Sequence, residues 1–185
     1  LAQALVEFPG PDPVAGLKEA ISLLGDVLMV CSLEEAPREW AGAHLCLAQA
    51  HRALAAAEGR PHHLYESLSH CYQALRVFGG DNHPLEYTRV LTTMGDAYLS
   101  LHSAERIADV RRAIASYRRA LRFLEPTHDP HDHVRVQNNL GLAYSLMGRF
   151  DAAKEQYGES LKLVLELGDP TAIAMVHINI GRIYE

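Results

Sequence analysis

Positive charge is scarce in this sequence relative to negative: 17 Lys and Arg face 23 Asp and Glu, a net charge of −6 with a pI near 6.0. Such a balance gives no general attraction for nucleic-acid phosphates or anionic lipid, so neither nucleic acid nor membrane is expected as a partner. Cysteine is rare too. Cys31, Cys46 and Cys71 are odd in number, far apart and set in apolar helical pattern. That excludes a disulfide framework and fits small buried thiols in a reducing compartment, the cytoplasm. Long hydrophobic runs are missing: Leu23 to Leu33 contains Asp26 and Ser32 and falls short of the roughly 20 apolar residues that span a bilayer. Leu1 to Phe8 has neither the charged n-region nor the apolar core of a signal peptide.

What the 185 residues do have is apolar content, 48%, which is ample for a core. The chain stops at Ile183-Tyr184-Glu185 in the middle of an amphipathic pattern, as a segment of a longer protein would.

The chain also repeats itself. An apolar residue, a small residue and, three later, an aromatic recur as Leu47-Ala48…His51, Met94-Gly95…Tyr98, Leu140-Gly141…Tyr144 and Ile180-Gly181…Tyr184, with the small residues 47, 46 and 40 apart. A second signature follows the first three copies: Cys71-Tyr72-Gln73-Ala74-Leu75, Tyr117-Arg118-Arg119-Ala120-Leu121 and Tyr157-Gly158-Glu159-Ser160-Leu161, spaced 46 and 40. Each signature lies on an i, i+3, i+4, i+7 apolar stripe, so each repeat supplies two amphipathic helices, A and B. Neither buries its face alone. The small residue in helix A lets helix B approach closely, and the aromatic one turn on fills the space beside it.

Breakers at Pro37, Gly59 to Pro61, Gly79 to Pro84, Pro126 to Pro130, Gly148 and Gly168 to Pro170 divide the helices. The spacing predicts an all-α chain of eight helices: an unpaired B-type helix over 14–33, pairs within 37–79, 83–125 and 130–167, and a last A helix over 170–185. Helices A and B are expected at 37–57 and 62–79, 83–103 and 107–125, and 130–147 and 150–167. Residues 1–13, with Pro9-Gly10-Pro11-Asp12-Pro13, read as a linker or the end of a preceding helix.

The third copy, Asn139-Leu140-Gly141-Leu142-Ala143-Tyr144 with Gly148-Arg149-Phe150-Asp151-Ala152-Ala153 and Tyr157, resembles a tetratricopeptide repeat. Ser160 stands where that family usually has Ala, and Gln137 where it often has Trp. The earlier copies, with Pro37-Arg38-Glu39-Trp40 and Pro84-Leu85-Glu86-Tyr87 at the start of helix A, are similar to bacterial arrays with long, 40- to 47-residue repeats. The resemblance implies a right-handed superhelical solenoid of antiparallel helix pairs whose inner wall, lined by A helices, binds a protein or peptide. It implies no catalysis.

Counting from the small residue, wall positions fall six and three before it and one and four after. These are Arg89, Thr92, Asp96 and Leu99, then Arg135, Asn138, Leu142 and Ser145, flanked by Leu45, Gln49 and Arg52 and by Met175, Ile178 and Arg182. The partner-binding set is therefore Gln49, Arg52, Arg89, Thr92, Asp96, Arg135, Asn138, Leu142 and Arg182, amide and guanidinium donors for peptide carbonyls or carboxylates. Asn138, Asn139 and Asn179 have an alternative role, bonding across neighbouring A helices to fix the twist. Chaperone-tail binders of the family place Asn directly after the small residue to clamp a carboxylate. Here Gln49, Asp96, Leu142 and Arg182 occupy those positions, and Asp96 would repel a carboxylate.

Other chemistry is thin. His128-Asp129-Pro130-His131-Asp132-His133 and His62-His63 offer metal-ligand types, but both lie in predicted connections and read as solvated turns, with Asp129 or Asp132 favoured at a helix N-terminus. No metal or other cofactor is expected. The cysteines lack an activating base, and Gly79-Gly80-Asp81 is a turn rather than a phosphate loop. Arg111-Arg112, Arg118-Arg119 and Arg122 form a solvated flank of one B helix.

The leading expectation is a recognition or scaffolding module, the alternative a ligand-responsive sensor segment of a larger signalling protein or peptidase. Apolar residues left open at the ends, Leu17, Ile21 and Leu24 at one and Ile180 and Ile183 at the other, are expected to permit self-association.

Overall fold

The computed structural model describes residues 1–8, 10–126 and 129–183. Pro9, His128, Tyr184 and Glu185, which figure in the reading above, lie outside them. Among the described residues there are nine helices and no strand: α1 Ala2–Glu7, α2 Pro13–Val30, α3 Pro37–Glu58, α4 His62–Ala74, α5 Pro84–Ser100, α6 Arg106–Ala120, α7 Pro130–Leu146, α8 Phe150–Leu167 and α9 Pro170–Gly181.

Five of these helices open on proline, at Pro13, Pro37, Pro84, Pro130 and Pro170. The ring pre-sets a helical φ, and the N–H it lacks is one the first turn leaves unbonded anyway. Helices α2 and α9 are also capped by an aspartate: Asp12 accepts from the Ala15 N–H, and Asp169 from those of Thr171 and Ala172. At the other end, α3 and α8 stop on Gly59 and Gly168, both at φ +67, a left-handed conformation that costs a glycine little.

Two B helices end earlier than the periodicity predicts. After Ala74 and after Ala120, at the same place in the second signature, the backbone tightens to i→i+3 bonds. The Val77 N–H donates to the Ala74 carbonyl at 3.1 Å and the Phe123 N–H to that of Ala120 at 3.0 Å. The residues that follow, Phe78 and Leu124, are still buried, so the apolar stripe continues past the helix.

The chain divides into two compact units, Leu1–His102 and Ser103–Glu185, with the boundary inside the stretch 83–125 that the periodicity reads as one repeat. In the first unit α3 packs against α2, α4 and α5, and α1 lies on α2 and α3. The apolar stripe of α2 is not open to solvent: Leu17 joins Ala50 and Leu54 in one cluster, and Leu24 joins Ala43 and Leu47 in another. The expectation of an exposed Leu17 and Leu24 is thereby corrected, because α3 covers both and α1 adds Ala2 and Val6 at the edges. Solvent meets Val27, Met29 and Val30 instead.

In the second unit α7 packs against α6 and α8, and α8 against α9. Its core holds Tyr117, Val136, Tyr157 and Val164, all nearly inaccessible. Met175 and Ile178 of α9 are open, while Ile180 and Ile183 are half-buried.

Candidate functional site

The signatures set how closely the helices approach. At Gly141 a Cβ would stand 2.5 Å from the Tyr157 ring, so only glycine lets α8 lay that ring against α7. Burial raises the Tyr157 phenol to about 12, opposed by the charge of Arg182. In the first unit the corresponding small residue is Ala48, whose carbonyl accepts from Ser67 Oγ at 2.7 Å. The aromatics one turn on are anchored as well: the Tyr98 and Tyr72 hydroxyls bond at 2.6 Å, and the Arg149 guanidinium lies 4.9 Å from the Tyr144 ring centre.

With the B helices behind them, α3 and α5 stand side by side. Arg38 donates to Glu86 Oε1 at 2.9 Å, joining the first turns of the two helices and holding Glu86 below the ordinary carboxylate range. Further along, Arg52 Nε lies 4.0 Å from Asp96 Oδ2. That nitrogen is buried and has no hydrogen bond. Gln49 is half-buried and Arg89 exposed on the same helices, and the charge of Arg89 reaches Cys46, partly countering the burial that raises its thiol.

In the second unit α7 and α9 are joined by Asn179 Nδ2, which donates to Asn138 Oδ1 at 3.0 Å. Arg135 is exposed and donates to Asp132 at 3.0 Å, Leu142 is half-buried and Arg182 exposed.

Three expected wall residues are not on a wall. Thr92 and Asn138 are buried, and Leu45, at the same position three before the small residue, is buried too. That position turns toward the flank of the helix, as the Asn138–Asn179 bond shows, and only Ile178 in α9 leaves it open at 63%. The Thr92 hydroxyl donates back to its own helix, at the Thr88 carbonyl. What remains accessible is Gln49, Arg52, Arg89 and Asp96 in one unit and Arg135, Leu142 and Arg182 in the other.

Each unit also holds a cavity that sequence reasoning missed. One of about 250 Å³ is lined by Arg52, Arg60, Leu64, Ser100 and His102, where the ends of α3 and α5 and the α3–α4 turn meet. The other, about 410 Å³, lies among Arg118, Leu140, Tyr144, Arg149, Glu155 and Gln156. Neither has a local sequence signal, because each is completed by residues from a distant stretch, Ser100 and His102 in the first and Arg118 in the second.

Cys31, Cys46 and Cys71 are free thiols, and burial pushes Cys71 far up. On α6 Arg112 pairs with the buried Asp109 at 2.8 Å, while Arg111, Arg118 and Arg119 of the same helix, and Arg122 just past its end, are exposed. His133 sits against the Leu124 carbonyl, and no group of three or more His, Cys, Asp or Glu gathers to hold a metal ion among the described residues. His62 and His63, expected in a loop, form the first turn of α4. No helix among the described residues is long and apolar enough to cross a membrane.

Comparison with known proteins adds one match: the Tetratricopeptide repeat family model covers residues 105–166, from the start of α6 to the last turn of α8. No curated protein matches the chain. Tetratricopeptide repeats in general mediate protein–protein interaction and are typically not enzymatic. Gly141 under Tyr157, inside the matched segment, is the packing that the repeat signature encodes, and residues 105–166 are what the tetratricopeptide repeat family model supports.

Proposed function

We propose that this chain is a non-catalytic, cytoplasmic recognition module, and that the α3/α5 face of its first unit docks an extended segment of a partner protein carrying an acidic side chain. The observation that carries the reading is the Arg52 cavity. Its buried Nε has no hydrogen bond, and Arg60 and His102 line the same 250 Å³. A carboxylate or backbone carbonyl seated there would meet guanidinium donors in a space that fits one side chain. Asp96, at 4.0 Å from Arg52, selects against a chain terminus lying deeper along α5, which keeps the preference internal rather than C-terminal. In the second unit Arg135, Leu142 and Arg182 offer a separate set of contacts, basic around one apolar side chain. The three free thiols suit a reducing compartment.

The test is selection from a displayed random-peptide library by the full chain. Sequences enriched in Asp or Glu are expected, with affinity lost in Arg52→Glu and reduced in the pair Arg89→Glu plus Arg135→Glu. Undiminished capture by all of these variants overturns the assignment of these faces.

A further inference from the structure

Helix α6 concentrates positive charge in a chain that is acidic as a whole. It carries Arg106, Arg111, Arg112, Arg118 and Arg119 against a single acid, Asp109, and Arg122 follows in the turn after it. The net charge of −6 lies in the first unit, since residues 103–185 hold 11 Lys and Arg and 11 Asp and Glu. The arginines of α6 are also sorted by face. Val110, Ala113, Tyr117 and Ala120 are buried, and at about 100° per residue the opposite side presents Ile107, Arg111, Ala115, Arg118 and Arg122 in one exposed line.

Arg112 and Asp109 pair at 2.8 Å. The guanidiniums of Arg111, Arg118 and Arg122, by contrast, make no ion pair or hydrogen bond among the described residues. Like charges along one face repel and weaken a helix. The helix dipole offsets this for Arg118 and Arg119 in the last turn, but not for Arg111 in the second turn.

The line of arginines also runs into the second unit's cavity. Arg118 borders those 410 Å³ together with Tyr144, Arg149, Glu155 and Gln156, and the Arg149 guanidinium is held over the Tyr144 ring. Two guanidiniums and one carboxylate leave a single positive charge there, which one carboxylate neutralises and a doubly charged phosphate exceeds.

We propose that this face of α6, with the cavity beside it, docks a short acidic segment of a partner protein, one carboxylate entering between Arg118 and Arg149 and others meeting Arg111 and Arg122. From Arg111 to Arg122 the line runs roughly 16 Å along the helix axis, the reach of about five residues of extended chain. Exposed Glu105 and Glu125 close it at either end, so a longer polyanion such as a nucleic-acid backbone meets like charge there. Ile107, 63% exposed, and Ala115 set apolar surface among the guanidiniums, which suits the side chains of a polypeptide. This surface belongs to the second unit and does not depend on the Arg52 face.

The experiment titrates the full chain, labelled with nitrogen-15, with a short peptide of Glu and Leu whose ends are acetylated and amidated, at low salt. Binding is read by nuclear magnetic resonance and by anisotropy of a fluorescent copy of the peptide. Shifts are expected at Arg111, Arg118 and Arg149, distinct from any at Arg52 and His102, so the two faces are read separately. Arg118→Glu plus Arg122→Glu should weaken the α6 binding by about tenfold or more, because it sets like charge against the peptide. The same peptide with Gln for Glu should not shift α6. If circular dichroism shows that the double variant loses helix, Arg111→Gln alone should still lower the affinity by about threefold. The proposal is overturned if the peptide leaves α6 unmoved, or if these substitutions do not alter the shifts. It is equally overturned if a single-stranded oligonucleotide binds the face more tightly than the peptide, or if the α6 signals move with protein concentration alone, which makes the occupant a second copy.

Discussion

At the α3/α4 seam the two signature positions hold Ala48 and Cys71, whereas at the α7/α8 seam they hold Gly141 and Tyr157. The smaller residue on the A helix goes with the larger one on the B helix, so the two positions are complementary in size. Carrying the alignment outward, His44 and His70 correspond to Gln137 and Gln156, and His51 and His63 to Tyr144 and Arg149. The ring contact at one seam is thus a guanidinium over a tyrosine, 4.9 Å from its centre, while at the other it is two imidazoles sharing a proton at 3.1 Å. The backbone plan tolerates either, but their responses to pH and to bulk should be opposite.

The largest effect is expected from bulk. Gly141→Ala should gain helix propensity, yet the new Cβ meets the buried Tyr157 ring, and overpacking of that kind costs on the order of 2 kcal/mol. Adding Tyr157→Cys, which rebuilds the residue pair of the α3/α4 seam, should make the two changes non-additive by about 1 kcal/mol or more in a denaturant cycle. Strict additivity would mean that the two positions are not coupled through volume.

Acid should separate the seams next. His51 and His70 are lowered to about 4 and His44 is lowered as well, so the folded state takes up protons less readily than an unfolded chain with histidines near 6.5. The stability they contribute is complete above the unfolded value and declines as pH falls from about 6.5 toward 4. By about pH 5 the loss should be on the order of 2 kcal/mol for each of His51 and His70. Hydrogen exchange should locate it at α3 and α4 while α7 and α8 stay protected. A flat profile between neutral pH and about pH 5 would contradict the burial of these rings.

The smallest change tests the wall. Asn138→Ala leaves Asn179 Nδ2 without its acceptor and should cost about 1 kcal/mol in thermal unfolding while leaving partner binding intact, since Asn138 is buried. Lost binding with unchanged stability would return Asn138 to the binding surface.

Much of the fold was legible in the chain because its determinants are local. Prolines mark five helix starts, glycines two helix stops, and the small residue with its aromatic marks each pair, all within reach of one or two turns. The candidate site was less legible. Counting from the small residue put Arg52, Arg89 and Arg135 on the wall, where Arg89 and Arg135 are exposed and Arg52 is half-buried, but it also put Thr92 and Asn138 there, and both are buried, because one helix taken alone does not tell which flank its neighbour covers. The open stripe expected on α2 failed for the same reason. The histidines were visible singly, and the seven-residue steps from His44 to His51 and from His63 to His70 were there to be counted. With His63 assigned to a connection, however, nothing joined the two steps.

The sequence by itself determined that this chain is helical, where most helices begin, and that they pair through a small residue facing a larger one, since these follow from propensity and periodicity. The tertiary structure decided which polar residues are buried, where the Arg52 cavity opens, and that four histidines from two helices stand ring to ring. Those depend on the register of one helix against another, which the turn at Gly59 to Pro61 and the packing of the core set together.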